Sequence, residues 1–241
     1  ADTGLSPQQR TYVGAISTSA SALLALIEDL LDYSKIEAGR FDPEPQPMSV
    51  REIADNIVEL LAARAFAKNI GLGCHVEPDV PQMISADPGR VRQVLLNLIG
   101  NAIKFTDSGG VLVSIARART ETTDRICFTV TDTGPGLHED DLERIFEEFE
   151  QADGTSTRAH GGAGLGLAIS RRLVIAMGGT ISVSSQLGQG SEFVFEIPAI
   201  SATEPPQSRR DALSGRRAVI LSKNAIEADA IASTIRANGG K

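Results

Sequence analysis

The 241-residue sequence has no tryptophan, two tyrosines and only two cysteines, and aromatic residues make up 4% of the chain. Cys74 and Cys127 lie far apart and form no CxxC pair. The sequence therefore indicates neither a zinc site nor a disulfide framework. Because each cysteine lies in an apolar, strand-like run, we expect both to be core thiols in a reducing compartment.

Positive charge and long apolar runs are also scarce. Lys and Arg number 23 against 31 Asp and Glu, which gives a net charge of −8. Non-specific nucleic-acid binding needs a positive surface that displaces counterions, so we expect no nucleic-acid partner. No apolar run approaches the ~18–20 residues that span a bilayer, and the polar start does not resemble a signal peptide. We expect a cytoplasmic segment without membrane contact, cut from a longer protein that could itself be membrane-anchored.

The first forty residues predict one long helix. Ser6 is a capping residue, Pro7 suits the first helical position, and apolar residues then recur at helical spacing until Gly39, a predicted C-cap. A helix of about thirty residues is ~45 Å long and cannot bury its apolar stripe alone. We expect it to pair in a bundle with another segment or a second chain.

Residues 41–200 mix helices and strands. Alternating prolines at Pro43, Pro45 and Pro47 predict a stiff connector. Hydrophobic spacing predicts helices at Val50–Lys68, Pro88–Phe105, Glu139–Phe146 and Gly164–Met177. It predicts strands at Gly71–Val76, Val111–Ala118, Ile126–Thr131, Thr180–Ser185 and Glu192–Ile197. The elements do not alternate regularly, so the expected fold is an α+β sandwich with helices on one face of a mixed sheet.

The first chemically suggestive segment starts at Asp87-Pro-Gly-Arg90. On a helix, polar residues at intervals of three or four form one stripe: Arg90, Gln93, Asn97, Asn101 and Lys104. Amide oxygens suit a Mg²⁺ shell and an ammonium suits a phosphate. The alternative interpretation is a solvated helix face.

Three further segments follow. Asp132-Thr-Gly134-Pro-Gly136-Leu137 comes after a strand, and its carboxylate could accept a hydrogen bond from an exocyclic amine such as adenine N6. Taken alone, the segment is more typical of a plain turn. The two Phe of Phe146-Glu-Glu-Phe149 are expected to be core anchors. The Gly-rich segment from Arg158 to Gly166 opens a helix, where backbone N–H groups can approach phosphates. It is neither a P-loop nor a dinucleotide fingerprint.

In this order and spacing the four segments resemble the N, G1, F and G2 boxes of the histidine-kinase ATP-binding domain, within the ATPase superfamily of Hsp90, gyrase and MutL. The resemblance covers about residues 51–197 and implies a Bergerat-type two-layer sandwich. The segment Asp32-Tyr-Ser-Lys-Ile-Glu-Ala-Gly39 resembles the second helix of the family's dimerisation and histidine-phosphotransfer domain. The implied domains are therefore that helix (1–40), the ATP-binding domain (41–200), a linker (201–214) and the start of a receiver-like domain (215–241).

The resemblance also implies roles for individual residues. Asn101 would bind Mg²⁺, Lys104 would contact the phosphates, and Asp132 would recognise adenine. The ATP-binding set that it implies is Asn97, Asn101, Lys104, Phe105, Asp132, Gly134, Gly136, Arg158, Gly162, Gly164, Leu165 and Gly166. The hydrolytic relatives carry a Glu base where this chain has Asn97, and an amide cannot take a proton from water, which favours transfer of phosphate over hydrolysis.

Two departures from the family pattern matter. The accepting histidine is missing, since none of His75, His138 and His160 lies in an H box, and we expect it upstream of this chain. In addition, the C-terminal residues predict one strand at Ala218–Leu221 and one helix at Ile226–Ala237, and Ser222 and Lys223 after that strand stand where receivers carry the acidic pair that holds Mg²⁺. The implied function is the ATP- and Mg-dependent core of a hybrid sensor histidine kinase, homodimeric through its N-terminal helix and relaying phosphate to an Asp of a response regulator or receiver domain. A catalytically silent nucleotide-binding pseudokinase and a hydrolytic ATPase are the alternatives.

Overall fold

A computed structural model of the protein describes residues 4–119, 124–148, 150, 164–201 and 212–241. The chain forms two compact units, Ala1–Phe41 and Asp42–Lys241. The division of the second unit into an ATP-binding domain, a linker and a receiver-like start stays a prediction.

The first unit is a single helix, α1 (Pro7–Glu37). Its start is a reciprocal capping box: Gln9 N donates to Ser6 Oγ (3.3 Å) and Ser6 N donates to Gln9 Oε1 (2.9 Å). Large apolar side chains of this helix are about half exposed or more, namely Tyr12, Val13, Ile16, Leu23, Leu24, Ile27, Leu30 and Leu31. Neither α1 nor any other helix within the described ranges is long and apolar enough to cross a bilayer.

The second unit contains the remaining elements. Its helices are α2 (Val50–Ala67), α3 (Pro88–Phe105), α4 (Asp141–Arg144), α5 (Gly166–Ala176) and α6 (Ala225–Ala237). Its strands are β1 (Gln46–Ser49), β2 (Gly71–Val76), β3 (Met83–Ala86), β4 (Gly110–Arg119), β5 (Asp124–Asp132), β6 (Thr180–Gln186), β7 (Gly190–Pro198) and β8 (Ile200–Ser201).

The main sheet has five strands in the order β2-β4-β5-β7-β6. Strands β2 and β4 run parallel and the other neighbours run antiparallel, so the sheet is mixed. Helices α2, α3 and α5 cover one face, where Phe128 of β5 stacks on Phe195 of β7 with ring centroids 4.5 Å apart. The expected α+β sandwich is therefore confirmed.

The structure adds a second sheet that sequence spacing did not predict. Strands β1, β3 and β8 pair antiparallel in the order β1-β3-β8. Pro47 lies within β1, in the stretch expected to be only a connector. Because β1 is at the edge of its sheet, it tolerates a proline, which has no N–H to donate to a neighbouring strand.

Two predicted elements differ from the structure. The helix expected at 139–146 is helical only at Asp141–Arg144, and the chain then forms turns. The strand expected at 218–221 is wrong, since that segment has no strand partner among the described residues. Ala218 N donates to Lys241 O (2.9 Å), but this single backbone bond does not make a ladder. Val219 and Leu221 are almost fully exposed.

Candidate nucleotide site

The polar stripe on α3 forms because capping fixes where the helix begins. Asp87 accepts a hydrogen bond from Arg90 N (3.1 Å) and Pro88 occupies the first turn. The apolar residues of α3 are buried against the sheet and neighbouring helices: Val91, Val94, Leu95, Leu98, Ile99, Ala102 and Ile103. The polar stripe of α3 is therefore not used for core packing and can contact a ligand.

Hydrogen bonds orient the two asparagines of the stripe. Asn97 Nδ2 donates to Oγ of buried Ser170 on α5 (2.9 Å), and Asn97 Oδ1 accepts from Asn101 Nδ2 (3.3 Å). Within the described residues this leaves Asn101 Oδ1 without a donor, so one amide oxygen is available to a ligand.

Lys104 and Phe105 end the helix. Lys104 Nζ lies 4.7 Å from the Phe105 ring centroid, and partial burial lowers the pKa of the lysine. No carboxylate pairs with Lys104 among the described residues. A cation that is partly desolvated and pairs with no carboxylate there is well suited to an anionic ligand.

Asp132 is the last residue of β5 and is only 7% exposed. Burial raises the pKa of its carboxyl, whereas hydrogen bonds from Gly134 and Ser191 act in the opposite direction. Gly134 N donates to Asp132 Oδ1 at 2.8 Å. A Cβ at Gly134 would lie 2.8 Å from that oxygen and 3.2 Å from Phe105 O, so glycine lets this turn approach the end of α3.

The turn after Asp132 rests on the β6–β7 hairpin. Gly136 has φ +71°, and a Cβ there would lie 2.1 Å from Gln186 O. Leu137 N donates to Ser185 Oγ (2.8 Å), and that hydroxyl donates to Gly190 O (2.8 Å). The backbone that surrounds Asp132 is therefore held from both sides.

The fourth segment reaches the first through glycine. Gly166 is the first residue of α5, and a Cβ there would lie 2.5 Å from Asn97 Oδ1. Gly164 has φ +71°, and Leu165 is buried. This contact brings the N-terminus of α5, whose first N–H groups have no partner within the helix, beside the amide stripe of α3.

The structure thus brings together three of the four predicted segments. Contacts join Asn97 to Gly166, and Phe105 to Gly134. Of the third segment, Phe146 is buried and lies edge-to-face with Phe193, as expected of a core anchor. Arg158, Gly162, His160 and Phe149 lie outside the described residues.

Sequence reasoning missed residues that support the site without touching a ligand. Thr133 Oγ1 donates to Ser108 O (2.8 Å) and accepts from Gly110 N (2.9 Å), which ties the turn after β5 to the loop after α3. Ser170, Ser185 and Ser191 support Asn97 or the Asp132 turn. Ser170 could have been found from its position one turn after Gly166, but the serines of β6 and β7 required the strand pairing.

Neither His75 nor His138 contacts the asparagine stripe or the Asp132 turn among the described residues. His75 is buried on β2, with Nδ1 3.1 Å from Thr234 Oγ1 of α6. His138 is exposed, with Nδ1 3.2 Å from Asp140 Oδ2.

The site residues fit a metal-bound nucleotide. No cluster of three or more His, Cys, Asp or Glu able to hold a metal occurs in the part of the chain that the structure describes. Magnesium characteristically takes few protein ligands and completes its shell with phosphates and waters. The single available amide oxygen of Asn101 matches that donor set.

The main sheet is mixed and has helices on one face. A buried carboxylate lies at the end of one strand, and an asparagine stripe faces a glycine-rich helix start. Together these features are those of an ATPase domain. The family model described as "Histidine kinase-, DNA gyrase B-, and HSP90-like ATPase" matches residues 86–201. The chain belongs to this family through that domain.

Three of the known proteins that this chain resembles illustrate the relationship. Signal transduction histidine-protein kinase BarA of Escherichia coli (strain K12) is 44% identical over 196 residues, which cover 81% of this chain and 21% of BarA. The crystal structure of full-length ShkA in complex with AMPPNP matches with TM-score 0.85 and 42% identity over 100% of this chain and 49% of ShkA. Histidine kinase ThkA in complex with response regulator protein TrrA matches with TM-score 0.60 and 25% identity, over 83% of this chain and 54% of that chain. The chain thus spans about a fifth of BarA and about half of ShkA.

Proposed function

We propose that this chain is the ATP-binding catalytic part of a two-component sensor histidine kinase. The complete protein transfers the γ-phosphoryl group of ATP to a histidine that lies upstream of this chain and then to an aspartate of a receiver. The observation that carries the proposal is the contact of Gly166 with Asn97. It places the start of α5, where backbone N–H groups can bind phosphate, beside the amide stripe of α3. The AMPPNP complex of ShkA and the name of BarA support it.

The proposed roles follow from the chemistry of each group. The Asp132 carboxylate accepts a hydrogen bond from the adenine amine, and the Lys104 ammonium neutralises phosphate charge. Asn101 Oδ1 holds Mg²⁺, which supplies charge neutralisation on the phosphate oxygens when it is bound. Positioning and charge neutralisation are the main catalytic effects in phosphoryl transfer.

Asn97 argues against hydrolysis as the main reaction. Its amide already donates to Ser170 and accepts from Asn101, and an amide cannot act as a base for water. The catalytically silent alternative has no support in the comparisons, whose relatives are named as kinases.

We further propose a cytoplasmic homodimer whose two copies pair through α1, as the exposed apolar side chains of that helix require a partner. A receiver domain is the proposed phosphate acceptor, by analogy with the ThkA–TrrA complex.

Calorimetric titration of Mg-ADP into the chain tests the nucleotide site. We expect binding by the wild type and a loss of at least about tenfold in Asn101→Ala, since a metal ligand is removed. Asn56→Ala is the matched control, because Asn56 lies exposed on α2. Absence of binding by the wild type, or equal effects of the two substitutions, contradicts the assignment.

Labelled ATP tests the transfer step. We expect an acid-labile phosphate on a longer form of the protein that includes the upstream histidine, and none on these 241 residues alone. Steady ATP turnover by this chain without a phosphorylated intermediate would instead indicate a hydrolytic ATPase.

A further inference from the structure

Helix α6 lies on the face of the main sheet opposite to α2, α3 and α5. Alternate residues of β2 point to opposite faces, and Gly71, Gly73 and His75 share the face that α6 covers. Cys74 lies on the other face, where the charges of Asp55 and Arg51 on α2 act on the pKa of its thiol. The C-terminal helix is therefore a third layer beyond the two-layer sandwich.

The absence of side chains at two positions of β2 lets α6 approach closely. A Cβ at Gly73 would lie 2.7 Å from Ala230 Cβ, and a Cβ at Gly71 would lie 2.3 Å from Asn224 Oδ1. Ala230 is buried in this contact. Glycine weakens a strand interior, so two alternate glycines facing one helix mark a surface shaped for close approach.

Polar contacts join the same two elements. His75 is buried with Nδ1 3.1 Å from Thr234 Oγ1. At the start of α6, Asn224 Nδ2 donates to Gly109 O (2.7 Å), while Asn224 Oδ1 caps the helix by accepting from Ile226 N (3.0 Å). One amide thus caps α6 with its oxygen and binds the sheet edge with its nitrogen.

Gly109 leads directly to the nucleotide site. Its carbonyl also accepts from Gly71 N (2.9 Å), and a Cβ at Gly109, which has φ +87°, would lie 2.2 Å from Thr133 Oγ1. Thr133 follows Asp132 and bonds the backbone of Ser108 and Gly110. The start of α6 is therefore connected to the adenine side of the site through a single loop.

We propose that the β2 face formed by Gly71, Gly73 and His75 is the docking surface of α6, and that Asn224, by holding Gly109 O, couples this docking to nucleotide affinity. The coupling rests on the proposed function, because it acts on the proposed adenine pocket. The C-terminal segment 212–241 occupies this docking surface. Two backbone hydrogen bonds join the ends of that segment, from Leu213 N to Asn238 O and from Lys241 N to Arg216 O. The effect requires no phosphorylation of that segment.

Asn224→Asp isolates the contact. Aspartate keeps the capping oxygen and suits a helix N-terminus, but it cannot donate to Gly109 O. Asn56→Asp is the matched control: it makes the same amide-to-carboxylate change at an exposed position of α2, away from α6. We expect Asn224→Asp to weaken Mg-ADP binding about two- to thirtyfold, the range of coupling changes from single substitutions, and Asn56→Asp to leave it unchanged.

A steric pair tests the docking surface independently. Ala230→Leu cannot fit against Gly73, whereas Ala225→Leu adds the same atoms at an exposed position of α6. We expect only Ala230→Leu to weaken Mg-ADP binding and to speed hydrogen exchange at the Gly71 amide.

Hydrogen exchange without nucleotide separates the outcomes. Faster exchange of the Gly71 and Gly110 amides in Asn224→Asp supports the docking contact, and unchanged exchange overturns it. Faster exchange with an unchanged Kd overturns the coupling alone. A wild type that does not bind Mg-ADP overturns the proposed function and the coupling, while the exchange result still decides the docking surface. Coupling is reciprocal, so Mg-ADP must also slow exchange in α6.

Discussion

The contact between Gly166 and Asn97 gives the sharpest quantitative prediction. Replacing Gly166 by Ala places a Cβ 2.5 Å from Asn97 Oδ1, and all three of its nearest atoms belong to the Asn97 side chain. That amide cannot rotate away without losing its bonds to Ser170 and Asn101. The substitution therefore acts on one side chain and on the two bonds it makes.

The expected magnitude follows from those two bonds. Each net hydrogen bond contributes about 0.5–1.5 kcal/mol to the free energy of unfolding, so the loss is about 1–3 kcal/mol. Alanine at a helical position contributes about 0.4–1 kcal/mol in the opposite direction, because it restricts the unfolded chain. We expect Gly166→Ala to destabilise the protein by about 1–2 kcal/mol.

A double-mutant cycle with Asn97→Ala makes the sign decisive. Once the Asn97 amide is removed, the three atoms nearest to the new Cβ are gone, and we expect the helical gain to dominate. Gly166→Ala should then stabilise the Asn97→Ala protein by about 0.4–1 kcal/mol. Urea unfolding followed by far-ultraviolet circular dichroism measures all four proteins, and the coupling energy is the difference between the two effects.

The reasoning fails in either of two ways. If Gly166→Ala lowers stability equally in both backgrounds, the strain lies in the backbone of α5 and not in the contact with Asn97. If it stabilises the wild type, the two helices have enough freedom to separate, and the close approach is not needed. Mg-ADP affinity measured on the same proteins shows whether the contact also matters for the ligand.

Two further predictions concern buried titratable groups. Because burial raises the pKa of Asp132, Mg-ADP affinity should fall, as pH drops through that raised pKa, more steeply in the wild type than in Asp132→Asn, whose binding at neutral pH should be weaker. Ionisation of this buried carboxyl opposes folding above its raised pKa, so Asp132→Asn should leave the neutral-pH Tm equal or higher; a marked drop in Tm would contradict this assignment. Partial burial raises the pKa of Cys74 from 9.0 to about 11, so iodoacetamide at neutral pH should modify Cys74 about a hundredfold more slowly than in the urea-unfolded chain, and equal rates would contradict the raised pKa.

Local signals explain what the sequence predicted well. The helix expected at Pro88–Phe105 has those bounds in the structure because Asp87 and Pro88 fix its start through neighbouring backbone groups. Strand β5 was found because one of its faces is buried, so apolar residues alternate along it. The asparagine stripe followed from the helix period alone.

Long-range pairing explains what the sequence did not predict. Strands β1, β3 and β8 have two to four residues each, too few to show alternation, and β1 pairs with a segment forty residues later. The length of the helix expected at 139–146 was overestimated. Ile145 and Phe146 are buried, but they lie in a turn and not in a continuing helix. The supporting contacts of Ser185 and Thr133 depend on the same kind of pairing.

The position of α6 shows how a sequence feature can have its cause outside its own element. Gly71 and Gly73 weaken β2 when the strand is considered alone, and nothing nearby in the sequence explains them. In the structure both positions face α6, where side chains would overlap Asn224 and Ala230. Since the next residue on that face is His75, which contacts Thr234, the whole outward side of β2 is fitted to the C-terminal helix. A strand whose outward residues are small at alternate positions is therefore better explained by a helix that packs on it than by weak strand propensity.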